Sequence, residues 1–311
     1  MNADISVVVP LYDKEREIAR TLRSALAQTL RPREILVVDD GSTDRSAAIV
    51  AAIAAEDPHG TIRLIRQPNA GVSAARNRAI AEARGRWVAL LDGDDLWRPG
   101  YLAEIAQMIA THPGCGAYAT AFDIRTGTRL TPAATPAEGG LVDFFRESLA
   151  RYVLIPSATT LDRALALEVG GFPEGMKMGE DQYLWTLVAR RAPVCCSTAR
   201  LVEYTRTAQN RSSAIYTPER TAFSFETLYD PAAPEDEREY IARAALGKAL
   251  VVSAKGGTEE AARTARFFAF TRRSRRTLRK LRLLNALPAA WRGAALRGYN
   301  ALAWALARKG L

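Results

Sequence analysis

Apolar and polar positions follow two alternating periods through the first two hundred residues of this 311-residue chain. "ISVVVPLY" (5–12), "EILVVDD" (34–40), "TIRLI" (61–65) and "RWVALLD" (86–92) are short runs rich in β-branched residues, the pattern of buried strands. Between them, "EREIARTLRSALAQTL" (15–30), "GSTDRSAAIVAAIAAE" (41–56), "GVSAARNRAIAEA" (71–83) and a segment from Pro99 to Ala110 place apolar residues at helical spacing. The second of these helices has Asp39, Ser42 and Asp44 available as caps. This βα rhythm predicts an α/β fold with a mainly parallel sheet flanked by helices.

Further along, 115–131 reads as short β pieces, 131–140 as a loop, and 141–152 and 178–191 as helices. From about Tyr216 only helical patterns remain. The expected division is a catalytic-type domain over 1–215, its ligand-binding part near 1–120 and a second part near 121–215, followed by a helical region over 216–311.

Ligands of such sheets sit at the carboxyl ends of the strands. Two acidic groups fall there: Asp39-Asp40, and Asp92, Asp94 and Asp95 in "LLDGDDLW" (90–97). Carboxylates so close resist ionising together, so they face open solvent or a cation. An Asp-x-Asp pair offers hard oxygen ligands that suit Mg²⁺ or Mn²⁺ and through it a bound diphosphate. Arg76 and Arg78 lie too close in sequence to share a helix face, so one can turn inward and the other to solvent. Glu180 and Asp181 open a predicted helix, which gains from its dipole and also puts a carboxylate where it can act as a general base. Trp185, one turn on, suits either a sugar-binding floor or the core.

Taken in order, "VVVPLYDKEREI", "VVDDGSTD", "NAGVSAARNRAI", "LLDGDDLW" and "GGFPEGMKMGEDQYLW" resemble the motifs of a family-2 glycosyltransferase of the GT-A fold, over roughly residues 4–206. The resemblance implies an inverting transfer of a sugar from a nucleotide-diphosphate sugar, with Mn²⁺ or Mg²⁺ as cofactor and a UDP-sugar as the favoured donor. It places Pro10, Tyr12, Asp40, Arg76 and Asp92 at the nucleotide, with Asp40 reading uracil and Arg76 at the base or phosphate. Asp94, helped by Asp92, would hold the metal, and Asp181 would be the catalytic base. Glu180, Trp185 and Asp95 would stand around the acceptor or behind these groups. Two departures matter. A Tyr-Arg-x-His pattern common among relatives reads "YTRTAQNRSS" (204–213) here, with Thr207 in place of the histidine, so Arg206 or Arg211 is the candidate source of compensating charge. The Gln-x-x-Arg-Trp motif of processive relatives is absent, which implies addition of one sugar or a few. A nucleotidyltransferase and a catalytically silent nucleotide-sugar-binding scaffold remain the alternatives.

Charge modifies the end of this picture. No Asp or Glu follows Glu260, whereas thirteen Lys and Arg do, so the net charge of +9 combines a mildly acidic body with a strongly basic final stretch. In 265–311, Leu284, Leu287, Trp291, Ala295, Leu302 and Leu306 recur at near-helical steps among arginines. This predicts a basic amphipathic region for an anionic membrane surface and, with it, a lipid-linked glycan as acceptor. Self-association into a homo-oligomer is also open to such helices, and nucleic acid is not expected without a recognisable motif. No apolar run is long enough for a membrane span, no secretory leader is evident, and three cysteines give no disulfide framework. The expected location is cytoplasmic, peripheral on the inner face of the cell membrane.

Overall fold

The four β-rich runs form adjacent parallel strands in the computed structural model, which describes residues 4–206, 219, 221–288, 290–296 and 298. They are β1 (Ile5–Leu11), β2 (Glu34–Asp39), β3 (Ile62–Arg66) and β4 (Trp87–Leu90). The helices between them are α1 (Ile18–Leu26), α2 (Ser46–Glu56) and α3 (Val72–Glu82). After β5 (Leu96–Trp97) and α4 (Tyr101–Thr111) come β6 (Ala117–Thr126), β7 (Arg129–Pro132), β8 (Gly140–Val142) and α5 (Phe144–Ser148). Next are β9 (Thr159–Asp162), α6 (Arg163–Glu168), α7 (Glu180–Ala189) and β10 (Val194–Thr205). The strand order is β3-β2-β1-β4-β9-β6-β10-β5, with β7 on β6 and β8 on β10. β9 runs antiparallel between β4 and β6, so β6 and β10 again share the direction of β1 and β4.

Both faces of the central strands are buried, which explains their unbroken apolar runs. Val7 and Val9 face one way, into a core with Ile18, Leu22, Val50 and Ile105. Val8, Leu36 and Val38 are equally buried and face the other way, where α3 packs on β1 and β2. Strand order reverses at β1, between β2 and β4, and there the chain leaves both strand ends toward opposite faces of the sheet.

Two predicted helices are shorter than their patterns. Over 141–152 only α5 is helical, because Leu141 and Val142 pair with β10, and Asp143 caps the short helix by accepting the Arg146 amide at 3.2 Å. The helix predicted over 41–56 starts only at Ser46. The residues before it are held by the neighbouring loop: the Asp13 carboxylate accepts the Thr43 amide at 2.7 Å, and Asp44 accepts the Ser46 and Glu15 amides at 2.8 and 3.0 Å.

The chain separates into two compact units, 1–214 and 215–311. In the second, α8 (Phe225–Leu228) precedes α9 (Glu235–Ala254), α10 (Thr258–Phe267) and α11 (Arg275–Ala286). Leu278, Leu281 and Leu284 are buried in this helical unit, so Leu284 belongs to its core and not to an outward apolar face as the sequence had suggested. Buried Glu239 accepts the Arg272 and Arg273 amides at 2.6 and 3.1 Å and the Thr271 hydroxyl, fixing the turn that leads into α11. Arg292 donates to the carbonyls of Leu287 and Asn285 at 2.8 and 3.1 Å, tying down the end of that helix. Leu302 and Leu306 lie outside the described residues.

Replacing Glu239 by Ala strands three donors in a buried site, so the helical unit should lose about 3 kcal/mol of stability. Amide hydrogen exchange along α9 and α11 should report that loss while the exchange of β1 and β2 stays unchanged.

Candidate functional site

The carboxyl ends of β1, β2 and β4 bring together the loops that carry the acidic motifs. Along the β1–α1 and β2–α2 loops, reciprocal hydrogen bonds join residues 13–15 to residues 42–46. Asp13 takes a left-handed backbone (φ 46°) to aim its carboxylate at the facing amides, a conformation Asp tolerates better than most residues. Gly41 (φ 76°) packs so closely that a Cβ would meet the Asn69 nitrogen at 3.0 Å. These bonds fix Lys14: its amide donates to Ser46 Oγ at 2.7 Å, and its Nζ reaches Asp94 Oδ2 at 2.9 Å with both side chains largely buried.

The three aspartates of "LLDGDDLW" go three ways. Asp94 pairs with Lys14. Asp92 accepts from Arg76 Nη2 at 2.7 Å. Asp95 turns away from the rim altogether. It is fully buried, accepts the Thr205 amide at 2.7 Å and the Ser157 hydroxyl at 2.5 Å, and so cannot touch an acceptor. Ser157 Oγ also accepts the Asp92 amide at 3.0 Å, so one hydroxyl links the two acids. Burial, followed by the charges of Asp94 and Asp92, raises the Asp95 carboxyl well above its usual range.

Arg76 and Arg78 divide as their spacing predicts. Arg78 lies outside and pairs with Glu82 at 3.0 Å. Arg76 is buried, 3% exposed, and joins two distant segments. Its Nη2 holds Asp92, and its Nη1 holds Glu180 Oε1 at 3.2 Å, across 104 residues of sequence. The guanidinium lies 4.9 Å from the Phe172 ring centroid. Burial works against its charge, but Asp92 and Glu180 outweigh that and hold the arginine protonated. Arg76, expected at the base or phosphate, here bonds two of the protein's own carboxylates, with Nε buried and without a partner among the described residues.

Glu180 and Asp181 open α7, whose unpaired amides favour negative charge. Asp181 Oδ1 accepts the Gln182 amide at 2.7 Å. Burial, then the neighbouring Asp181, pushes Glu180 up to about 7 in spite of Arg76. Burial also raises Asp181, against the Gln182 amide and Arg76 and with Asp92 adding to the rise. Trp185, a candidate sugar floor, is 1% exposed and meets Phe172 edge-on at 6.0 Å, so it packs behind Arg76 as core.

Nearer the other edge, Asp40 is buried and accepts Gln67 Nε2 and the Ala70 amide on Oδ1 and the Gly71 amide on Oδ2, at 2.8, 2.9 and 2.8 Å. It thereby orders the turn into α3, and Oδ2 receives one donor among the described residues. Pro10, which pairs with Val38 in the sheet, is half-buried, and Tyr12 is 42% exposed at the end of β1. Thr207 and Arg211 lie outside the described residues.

Lys14, Ser157 and Phe172 were not singled out from the sequence. Only Lys14 carried a signal, a cation two residues beyond Tyr12 in a loop at a strand end. Ser157 and Phe172 act through partners 62 and 95 residues away, which no local pattern reports.

Five acids, Asp92, Asp94, Asp95, Glu180 and Asp181, thus stand around two internal cations, Lys14 and Arg76. Burial is the largest cause of the upward displacement of three of these carboxyls, and Arg76 works against it at Glu180 and Asp181. No cluster of three metal-ligating side chains occurs among the described residues. Asp94, with Asp92 near it, fits the pattern in which Mg²⁺ or Mn²⁺ takes one or two carboxylates and completes its shell with phosphate and water.

Glu180 binds its proton more tightly folded than unfolded, so its contribution to stability is present below about pH 4.5 and is lost as pH rises through about 7. Glu180→Gln should therefore flatten the fall in Tm between about pH 5 and 7. An unchanged slope in a pH series of thermal melts would show that Glu180 is ionised throughout.

With this geometry in view, the comparisons with known proteins are specific. A family model described as "Glycosyl transferase family 2" matches residues 6–188. The Escherichia coli K12 protein "Uncharacterized glycosyltransferase YibD" is 32% identical over 184 residues, which cover 59% of this chain and 46% of that protein. The Rhizobium meliloti "Succinoglycan biosynthesis protein ExoO" is 44% identical over 105 residues, 33% of this chain and 29% of that one. The matched stretch thus spans less than half of either relative. Among solved structures, Staphylococcus aureus TarS 1–349 in complex with UDP-GlcNAc superposes with a TM-score of 0.62 at 22% identity, covering 93% of this chain and 82% of that one. The mannosyltransferase PcManGT from Pyrobaculum calidifontis, in complex with GDP-Man and Mn²⁺, gives 0.58 at 21% identity, covering 98% and 81%. At such identities the structural likeness establishes the GT-A-type fold alone. The family match takes in β1 through most of α7, the whole span that carries the acidic rim, and the chain belongs to glycosyl transferase family 2.

Proposed function

We propose that the chain is an inverting, metal-dependent glycosyltransferase that moves a sugar from a nucleotide-diphosphate sugar, a UDP-sugar in the first instance, to a hydroxyl of an acceptor. The observation that carries this reading is the Arg76 bridge. It sets the Asp92–Asp94 turn, suited to a diphosphate, beside the Asp181 carboxylate, suited to proton removal. Tyr12 and Pro10 would flank the base, Asp40 Oδ2 would accept the imide N–H of uracil, and Asp92 would stand at the ribose. Asp94 would hold Mn²⁺ or Mg²⁺, which when bound supplies Lewis-acid stabilisation of the departing diphosphate. Lys14 would then turn its charge toward the same phosphates.

Asp181 accepts the proton of the acceptor hydroxyl as that oxygen attacks the anomeric carbon from the face opposite the diphosphate. Its raised affinity for protons suits a general base, and such help is worth about 10²–10⁴-fold in rate. Glu180, held by Arg76, positions the start of α7 and takes no proton from the acceptor.

The succinoglycan names of ExoO and ExoU support a role in cell-surface polysaccharide synthesis, and TarS with UDP-GlcNAc supports a UDP-sugar donor. In this reading the acceptor is a lipid-linked glycan, met by a peripheral protein on the inner face of the cell membrane. No described helix is long and apolar enough to cross a membrane.

Calorimetric titration of UDP, with dTDP and GDP alongside, should show binding strengthened by Mn²⁺ in the wild type. Asp94→Ala should abolish the manganese effect and keep weak nucleotide binding through the base pocket. Absence of binding by all three nucleotides would overturn the donor-site reading.

A further inference from the structure

α11 has two unlike faces. Leu278, Leu281 and Leu284 turn into the helical unit. Arg275, Arg276, Arg279 and Arg282 are exposed on the opposite side, at the three- and four-residue steps that align side chains on a helix. Arg272 and Arg273 are exposed just ahead of them, and Arg273 pairs with Asp236 at 2.7 Å. None of the four helix arginines has an acidic partner among the described residues, and no acidic residue follows Glu260 to supply one. An ordinary solvated helix mixes signs; this one repels itself along its whole outer face.

Exposed apolar side chains lie on this helix and just beyond its end. Leu283 is 71% exposed beside Arg279 and Arg282, and Trp291, shortly beyond the helix, is 69% exposed. Leu287 at the helix end is 38% exposed. Exposed leucines among arginines gain little from a nucleic acid, whose attraction to a basic face comes through its phosphates. At a bilayer both kinds of group are satisfied together: arginine takes lipid phosphates through paired N–H donors, while Leu and Trp enter the headgroup boundary.

We propose that the outward face of α11, with Arg275, Arg276, Arg279 and Arg282 as phosphate contacts and Leu283 and Trp291 as inserted groups, docks this chain on an anionic phospholipid surface. The docking face is therefore not the leucine stripe through Leu284, which is already buried in the protein. The inference rests on the helical unit alone and stands whether or not the sugar-transfer reading holds.

Flotation of the full chain with phosphatidylglycerol-containing vesicles, and with phosphatidylcholine vesicles as control, tests it. The wild type should float with the anionic vesicles only, and less as salt is raised. Each arginine near an anionic surface is worth roughly fivefold in partitioning, so the R275Q/R276Q/R279Q/R282Q variant should lose several hundred-fold. The L283S/W291S variant should keep its low-salt binding and lose what survives at high salt. Circular dichroism and UDP titration of both variants should match the wild type, which separates this result from any failure of the donor site. Wild type left at the bottom at low salt, or a folded quadruple variant that floats as well as wild type, overturns the proposal. So does an oligonucleotide that binds through the same arginines and strips the protein from vesicles.

Discussion

A buried guanidinium between two carboxylates from distant parts of the chain is the constraint on which the site depends. Arg76 leaves α3, holds Asp92 at the end of β4 and Glu180 at the start of α7, and rests on Phe172. Taking a charge out of water in this way is costly unless partners surround it, and removing one partner leaves the other uncompensated. The arrangement therefore behaves as a unit. Asn77, next in sequence, repeats the link on the backbone: it donates to the Phe172 carbonyl at 2.9 Å and accepts the Phe172 amide at 2.8 Å. The segment before α7 is thus sewn to α3.

The electrostatics of the rim follow from that framework. Asp94 and Asp92 each have a cation, yet Asp95, Glu180 and Asp181 all hold protons more tightly than ordinary carboxyls. Asp95 is the simplest case. It lies inside, where its hydrogen bonds to Thr205 and Ser157 lock the turn between β4 and β5 to the end of β10. Its role is to shape the turn that presents Asp92 and Asp94.

The sheet could be read from sequence because each strand–helix alternation is a local pattern, and all four runs between 5 and 92 form strands, with ends shifted by one or two residues. Locating Asp40, Asp92 and Asp94 near one edge needed only the rule that such sheets present their carboxyl ends, whereas Asp181 was placed beside them by the family resemblance. What the sequence could not supply was who partners whom. Arg76 carried no mark to separate a ligand contact from an internal brace, and Asp95 none to separate it from Asp94 one residue away. Trp185 was ambiguous because a three- to four-residue period fits a core and a binding floor alike. In the helical unit Leu284, which the sequence had set on a membrane-facing stripe, instead packs with Leu278 and Leu281 toward α9 and α10. The arginines on the other face carry what that stripe left unexplained.

The most direct test of the account is a crystal structure of the protein with UDP and Mn²⁺. In it Arg76 should keep both Asp92 and Glu180, the metal and diphosphate should lie against Asp94, and Lys14 should have turned from Asp94 toward phosphate. An Arg76 side chain swung away from Glu180 to bind the base or the phosphates would contradict it, since the brace would then be a ligand contact and the placing of Asp181 would need another cause.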